Sequence, residues 1–148
     1  MRIARENQSL SIGKKAEDLF KSVCQKAGYT VIPSSEKENM YDHVDFLVNT
    51  DRGYFSVDVK GNCNTDCIWV ELRNVQGKAG WLYGGADYIA FNITDCDAFA
   101  VVGREELEAR CMEIIKPRFV GYDDAKYNLY TRIGRYDVIS RIVLQDIV

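Results

Sequence analysis

Residues 44–61, VDFLVNTDRGYFSVDVKG, decide the fold of this chain. Apolar and polar side chains alternate through both halves of the stretch, and the TDRG segment between them has the composition of a turn. The sequence therefore predicts a β-hairpin. Because side chains alternate across a strand, Asp58 and Lys60 share one face, and a suitable register would bring Asp45 alongside Asp58.

A helix and a short strand are predicted before this hairpin. Helical spacing of apolar residues indicates a helix over residues 9–27, which Gly28 ends. Its apolar stripe consists of Ala16, Leu19, Phe20, Val23 and Ala27. Residues 29–33 are β-like, and residues 34–42 form a polar loop.

Strands dominate the chain beyond the hairpin, and the Gly-rich residues 76–83 allow at most a short helix. The other predicted elements are strands over residues 68–73, 86–93 and 98–102, a helix over residues 104–112, and a terminal β pair of residues 127–132 and 136–143. The order helix, three strands, short helix, strand predicts an α/β or α+β fold with a central mixed sheet flanked by helices and a C-terminal strand and helix extension.

Length and composition predict a single domain over residues 1–148, since 47% of the residues are hydrophobic and 28% are charged. The first ten residues contain no apolar run, and no stretch approaches the ~20 apolar residues of a membrane span. We therefore expect a protein that is not secreted, has no membrane partner, and is cytoplasmic or associated with intracellular nucleic acid.

The net charge of −3 argues against a protein that coats nucleic acid by bulk electrostatics. A phosphate-binding surface would have to be local. Residues 116–141 contain six basic and three acidic side chains, a regional balance of +3, although a solvated surface explains this balance equally well.

Five cysteines, an odd number in a chain without a secretory signal, indicate reduced thiols. The spacing Cys63-x3-Cys67 falls within the looser range of zinc ligands but has no second pair and no nearby histidine. Small buried hydrophobic residues are therefore the favoured interpretation of the cysteines.

A glutamate and an Asp-x-Lys pattern form a candidate catalytic set. Glu17 lies at the border of the apolar stripe of the first helix, from which it could reach the sheet. Alone, it is better explained as an exposed partner of Lys21 at i, i+4, and Asp58-x-Lys60 alone could be an ordinary charge pair. The order of the residues is more specific than any one of them.

Glu17 in the first helix, Asp45 in the motif HVDF, and Asp58 with Lys60 in the motif VDVK resemble the PD-(D/E)xK nuclease superfamily. This superfamily includes restriction endonucleases, archaeal-type Holliday junction resolvases and phage exonucleases. The resemblance covers residues 9–93 and implies a restriction-endonuclease-like core. Val44 stands where the motif has proline, and the second core helix would be short.

The resemblance implies a Mg²⁺-dependent endonuclease, with Mn²⁺ able to substitute. Asp45 and Asp58 would be the primary ligands, joined by the backbone carbonyl of Val59 and by Glu17 through water. Two nearby carboxylates favour the charged form of Lys60, which would orient the attacking water rather than act as a base. The cysteine positions do not fit the iron–sulfur members, so we expect no cluster.

Several further residues are candidates with competing explanations. Glu71 could be a third acid or the partner of Arg73, and the only histidine, His43, could be a ligand or a hydrogen-bonding residue at a loop end. The candidate nucleic-acid contacts are Lys14, Lys78 and Trp81, with ordinary surface lysines and core packing as the alternatives.

The leading hypothesis is a DNA endonuclease that recognises DNA structure, such as a Holliday junction or branched-DNA resolvase. A resolvase cuts two strands symmetrically, so that subtype would be a C2 homodimer. A non-catalytic module that binds nucleic acid or protein through the same fold is one alternative. An RNA-cleaving enzyme is another, because the metal chemistry is shared and the sequence does not reveal contacts to the 2′-OH.

Overall fold

A computed structural model describes residues 2–35, residue 39 and residues 42–147, with the backbone alone described for residues 2–10. The helices and strands are α1 (Arg2–Lys26), β1 (Thr30–Pro33), β2 (Phe46–Thr50), β3 (Gly53–Cys63), β4 (Ile68–Arg73), β5 (Tyr88–Ile93), β6 (Ala98–Gly103), α2 (Arg104–Ile114) and β7 (Val138–Ile142). Short 3₁₀ turns occupy Trp81–Tyr83, Tyr122–Asp124 and Leu144–Asp146. The described helices include none that is long and apolar enough to cross a membrane.

The central sheet has five strands in the order β1-β2-β3-β5-β6. Strands β1, β2 and β3 form an antiparallel meander, β5 runs parallel to β3, and β6 is antiparallel to β5. The predicted hairpin is confirmed, because Phe46 pairs with Val57 and Thr50 pairs with Gly53 across a two-residue loop. Gly53 takes a φ of +116°, a value that side-chain-bearing residues rarely adopt.

Helices cover both faces of this sheet, so the predicted mixed sheet flanked by helices is confirmed. On one face, the α1 side chains Ala16, Phe20 and Cys24 pack against buried residues of β2, β3 and β5. On the other face, Leu107 and Cys111 of α2 join a second cluster. Burying both faces of β3 and β5 is the arrangement that parallel strand pairs require.

Strand β4 does not join the central sheet, in which β1 is the third strand of the antiparallel meander. Instead, β4 pairs with β7 in a separate two-stranded sheet. Its inner residues Ile68 and Val70 are fully buried in the same cluster as Phe91 of β5. An alternating strand buries one face equally well against either sheet, so the pattern alone does not choose the partner.

The predicted C-terminal β pair is confirmed only in part. Strand β7 is present, but residues 127–132 form only isolated bridges, such as that between Tyr130 and Ile139. The Gly-rich segment holds one 3₁₀ turn, Trp81–Tyr83, as its glycines led us to expect.

The first helix is longer than predicted and rotated relative to the predicted stripe. It begins at Arg2 rather than residue 9, and Gly28 follows its end with a φ of +87°. Leu19 and Val23 are exposed, so their prediction as core residues was wrong. The buried residues are spaced four apart, at Ala16, Phe20 and Cys24. Leu19 and Val23, each three residues after a buried one, therefore lie toward solvent.

Candidate functional site

Asp45 lies one residue before β2, where the ladder between β2 and β3 ends. Its backbone N–H donates to Val57 O at 2.9 Å, and its Oδ2 accepts a hydrogen bond from Val59 N–H at 2.7 Å. Asp45 Oδ1 accepts a second hydrogen bond from Asn39 Nδ2 at 2.6 Å. Asp45 therefore bonds to the backbone on both sides of Asp58, which brings the two aspartates together as the hairpin predicted.

Asp58 is almost completely buried, with 3% of its surface exposed. Its Oδ1 lies 3.2 Å from Lys60 Nζ, whereas its Oδ2 has no hydrogen-bond partner among the described residues. Burial raises the pKa of Asp58 to about 7, with Lys60 opposing the shift and the Asp45 carboxylate adding to it. Burying the charged form of Asp58 costs free energy, and the contact with Lys60 offsets only part of that cost.

Lys60 lies between a carboxylate and an aromatic ring. Its Nζ is 5.0 Å from the ring centroid of Trp81, in addition to its contact with Asp58. Carboxylates and the faces of aromatic rings are both common partners of lysine side chains. Trp81 itself is buried and packs against the candidate catalytic lysine, the arrangement expected from the core-packing alternative.

Glu17 extends from α1 toward Asp45. Burial and the Asp45 carboxylate, in that order, raise the pKa of Glu17 to about 7, with Lys14 opposing the shift. The i, i+4 ion pair on this helix joins Lys14 to Asp18 at 4.0 Å. The structure thus places Glu17 beside the acids of the hairpin, the position that the resemblance implied.

Gly61 allows α1 to lie close to β3. A Cβ at this position would lie 3.2 Å from Ala16 Cβ and 3.2 Å from Ile12 O, closer than most real Cβ contacts. Because Gly61 directly follows Lys60 and Ala16 directly precedes Glu17, this contact sets the distance between the helix and the Asp-x-Lys strand. The missing side chain therefore helps to position Glu17.

An open cavity of about 500 Å³ gives access to the site. It is lined by Glu17, Pro33, Ser34, Asn39, Asp45 and Phe46, among others. Both Glu17 and Asp45 therefore border a space large enough for a small ligand or part of a polymer.

His43 and Glu71 both lie outside the β2–β3 hairpin strands. His43 precedes β2 in a left-handed conformation, with a φ of +53°, so it does not share a strand face with Asp45. Its Cβ approaches Gly84, where an added Cβ would lie 3.1 Å away. Glu71 lies on β4 of the second sheet, and it is not among the groups that shift the pKa of Glu17 or Asp58.

The remaining candidates are separate from the acids. Lys78 is exposed and lies in the turn after β4, and Lys14 is exposed on α1. Cys63 and Cys67 are free thiols, and burial raises the pKa of Cys63 to about 11, which disfavours the thiolate that binds metal.

The chemistry of Glu17, Asp45 and Asp58 fits a hard divalent cation, because all the donors are oxygens and two of the carboxyl groups have raised pKa values. The unpartnered Asp58 Oδ2 is the atom that a cation would satisfy. As the side chains lie, however, no group of three or more His, Cys, Asp or Glu residues in the described part of the chain is arranged to hold a metal. In this arrangement each Asp45 oxygen accepts one hydrogen bond, Oδ1 from Asn39 Nδ2 and Oδ2 from Val59 N–H.

The sequence did not single out Asn39, because it is one of several polar residues in the loop over residues 34–42. Ser34, whose hydroxyl donates to Val44 O, was missed for the same reason. The contact between Trp81 and Lys60 joins residues 21 positions apart and has no local sequence signal.

Comparison with protein-family models, curated proteins and solved structures gives no match to this chain. The resemblance to the PD-(D/E)xK superfamily therefore rests on the order of Glu17, Asp45, Asp58 and Lys60 and on the placement of these side chains.

Proposed function

We propose that this protein is a metal-dependent nuclease of the PD-(D/E)xK superfamily that hydrolyses phosphodiester bonds in DNA. The observation that carries the proposal is the buried Asp58 carboxylate, which has one unpartnered oxygen beside Asp45 and Lys60. A buried polar atom without a partner is uncommon in folded proteins and often marks a functional site.

Asp45, Asp58 and the backbone carbonyl of Val59 would hold Mg²⁺ or Mn²⁺, and Glu17 would contact it through water. The bound ion would lower the pKa of a water molecule and neutralise charge on the phosphoryl oxygens. The raised pKa values of Glu17 and Asp58 support this assignment, because burial is the main cause of both shifts and a bound cation would stabilise the charged carboxylates that burial penalises.

Lys60 would orient the attacking water and stabilise negative charge on the phosphate in the transition state. An ammonium group has three donors, and Asp58 accepts one of them at 3.2 Å, which leaves two for water and a phosphate oxygen. Trp81 would hold the lysine stem over the strand while Lys60 donates these bonds.

A structure-directed endonuclease, with a Holliday junction or branched-DNA resolvase as the first subtype to test, is the narrower form of this proposal. Its chemistry would be shared by an RNA-cleaving enzyme, so the substrate panel must contain both nucleic acids. A homodimer on a four-way junction would support the resolvase subtype.

The test is a single-turnover assay with Mg²⁺ or Mn²⁺ on linear, single-stranded, flapped and four-way DNA and on matched RNA. We expect Asp58→Asn to reduce cleavage by about 1000-fold, since it removes a charged ligand from the reacting centre. Asp51→Asn is the matched control, because Asp51 is an exposed aspartate in the turn of the same hairpin.

Cleavage that Asp58→Asn leaves unchanged would contradict the proposed site. An absence of cleavage on every substrate, combined with retained binding of nucleic acid, would instead favour a non-catalytic binding module on the same fold.

A further inference from the structure

Residues 130–139 form a projecting hairpin, here called the tip hairpin. Tyr130 and Ile139 exchange two backbone hydrogen bonds of 2.8 and 2.9 Å at its base. Arg135 N–H donates to Arg132 O at 3.1 Å in its turn, where Gly134 has a φ of +76°. The turn places Ile133 entirely in solvent, with 100% of its surface exposed.

A second large side chain, Tyr136, is 75% exposed and follows Ile133 by three residues in the same hairpin. Placing two such side chains in water loses the stabilisation of about 1.5–3 kcal/mol that burial of each would provide. Isolated exposed apolar residues are common, but a fully exposed isoleucine at a turn next to an exposed tyrosine makes a small, projecting apolar surface.

The base of the tip hairpin is rigidly held. Asp137 is 0% exposed and accepts hydrogen bonds from the backbone N–H and the Nε of Arg132, the latter at 2.6 Å. Thr131 Oγ1 also donates to Asp137 O. The exposed tip is therefore carried by a fixed frame.

The aromatic residues below the tip add to this frame. The ring of Tyr130 lies 6.1 Å from the ring of Trp69 and 5.8 Å from the ring of Tyr122. Together these three rings cover the outer side of β4, whose inner side is in the core. The tip hairpin is thereby packed against the second sheet.

The exposed Arg135 lies in the turn after Ile133, whereas Arg132, which precedes Ile133, is ion-paired with Asp137. Arg141 lies on β7 opposite Trp69, beyond the base of the tip hairpin. The Arg141 Nε is buried and has no hydrogen-bond partner among the described residues. A polyanion is the partner that this combination of cations and a narrow apolar tip complements.

We propose that the tip hairpin is a wedge that opens duplex DNA, with Ile133 inserted between stacked base pairs and Arg135 on a neighbouring phosphate. Apolar side chains inserted at a base step partly unstack it, and arginines stabilise the bent backbone. A surface of two apolar side chains matches one base step and is small for a stable protein interface. The inference rests on the proposed function for its nucleic-acid substrate and adds how that substrate is deformed.

The experiment measures DNA binding and base unstacking without cleavage. Protein carrying Asp58→Asn is titrated, in EDTA, into linear duplexes and four-way junctions that contain 2-aminopurine. We expect fluorescence to rise on binding, and we expect Ile133→Ala to remove that rise and weaken binding by about tenfold. Val101→Ala is the matched control, since Val101 is an exposed β-branched residue on β6.

Three outcomes would overturn the wedge. The first is an Ile133→Ala variant that binds and unstacks DNA as the Val101→Ala control does. The second is the absence of any fluorescence rise with intact Ile133. The third is a shift in oligomeric state by Ile133→Ala in sedimentation experiments without a change in DNA binding, which would assign the tip to a protein contact.

The wedge and the proposed function can fail separately. Unstacking that depends on Ile133 in a protein that never cleaves with Mg²⁺ would retain the wedge and reject the nuclease. Cleavage that depends on Asp58 without unstacking would do the reverse.

Discussion

Two aspartates of this protein are buried to nearly the same degree but are bound in opposite ways. Asp137, at the base of the tip hairpin, receives hydrogen bonds from the backbone and guanidinium of Arg132. Asp58, on the central sheet, has Lys60 beside Oδ1, no hydrogen-bond partner on Oδ2 within the described part of the chain, and a second carboxylate nearby. Both aspartates are buried, so they differ in the number and charge of their partners and not in their exposure.

Asp137 has the full set of partners expected of a carboxylate that stabilises the fold, whereas Asp58 has the incomplete set expected of the proposed ligand site. An unsatisfied buried charge is tolerated where function requires it and is offset by stability elsewhere. Asp58 lies on β3 of the central sheet and Asp137 directly precedes β7 of the second sheet, so each aspartate can be substituted separately.

The largest expected effect is a difference in stability between two substitutions, Asp137→Asn and Asp58→Asn, each of which neutralises one buried aspartate. At pH 8 without metal, we expect Asp137→Asn to lower the free energy of unfolding by about 3 kcal/mol, because it leaves a partnered guanidinium without its anion. We expect Asp58→Asn to leave the free energy unchanged or raise it by about 1 kcal/mol, since it removes a buried charge. Urea unfolding followed by circular dichroism measures both.

Equal destabilisation by the two substitutions would show that Asp58 is a structural ion pair with Lys60. That result would contradict the contrast between the aspartates, whatever the outcome of the cleavage assay.

A second expected effect is a loss of stability as pH rises. The pKa values of Asp58 and Glu17 are raised to about 7 from ordinary values of 3.8 and 4.5, so the folded state binds more protons than the unfolded state between about pH 4 and pH 7. The metal-free protein should therefore lose stability as pH rises through this window. Between pH 5 and pH 8 the loss from Asp58 should be about 3 kcal/mol.

Urea unfolding at intervals between pH 4 and pH 8 tests this slope. Asp58→Asn should flatten it and Asp51→Asn should not, while added Mg²⁺ should restore stability at the alkaline end. A slope that is identical in the two variants would remove Asp58 as its source.

The smallest expected effect concerns Gly61, where α1 meets β3. We expect Gly61→Ala to lower stability by about 1 kcal/mol, because its Cβ would lie 3.2 Å from both Ala16 Cβ and Ile12 O. The shift of α1 should reduce cleavage more than binding, since it moves Glu17. Gly121→Ala is the control, because a Cβ there has no neighbour within 4 Å.

Much of the central sheet was predictable because its determinants are local. The alternation and turn of the β2–β3 hairpin are contained in 18 residues, and they brought Asp45 beside Asp58 as expected. The position of Glu17 on a helix was also evident from the sequence. Whether its side chain points toward the sheet or pairs with Lys21 was decided only by the order of the four motif residues, and the structure places it toward Asp45.

The errors arose where a pattern has two equivalent solutions. An alternating strand such as β4 can bury its inner face against either sheet, and a helix stripe can be shifted by one residue, as Leu19 and Val23 show. The contact of Trp81 with Lys60 was not predicted, because an aromatic residue among glycines gives no indication of the distant lysine that it contacts.

The parallel pairing of β3 with β5 has a consequence for the protein during its synthesis. All four proposed catalytic residues precede residue 61, yet β3 lies between β2 and a strand that ends at Ile93. A nascent chain that has exposed every one of these residues still lacks the strand against which Asp58 and Lys60 are buried. Because pairing over such a separation forms late, the emerging chain should pass the ribosomal tunnel without an assembled hydrolytic centre.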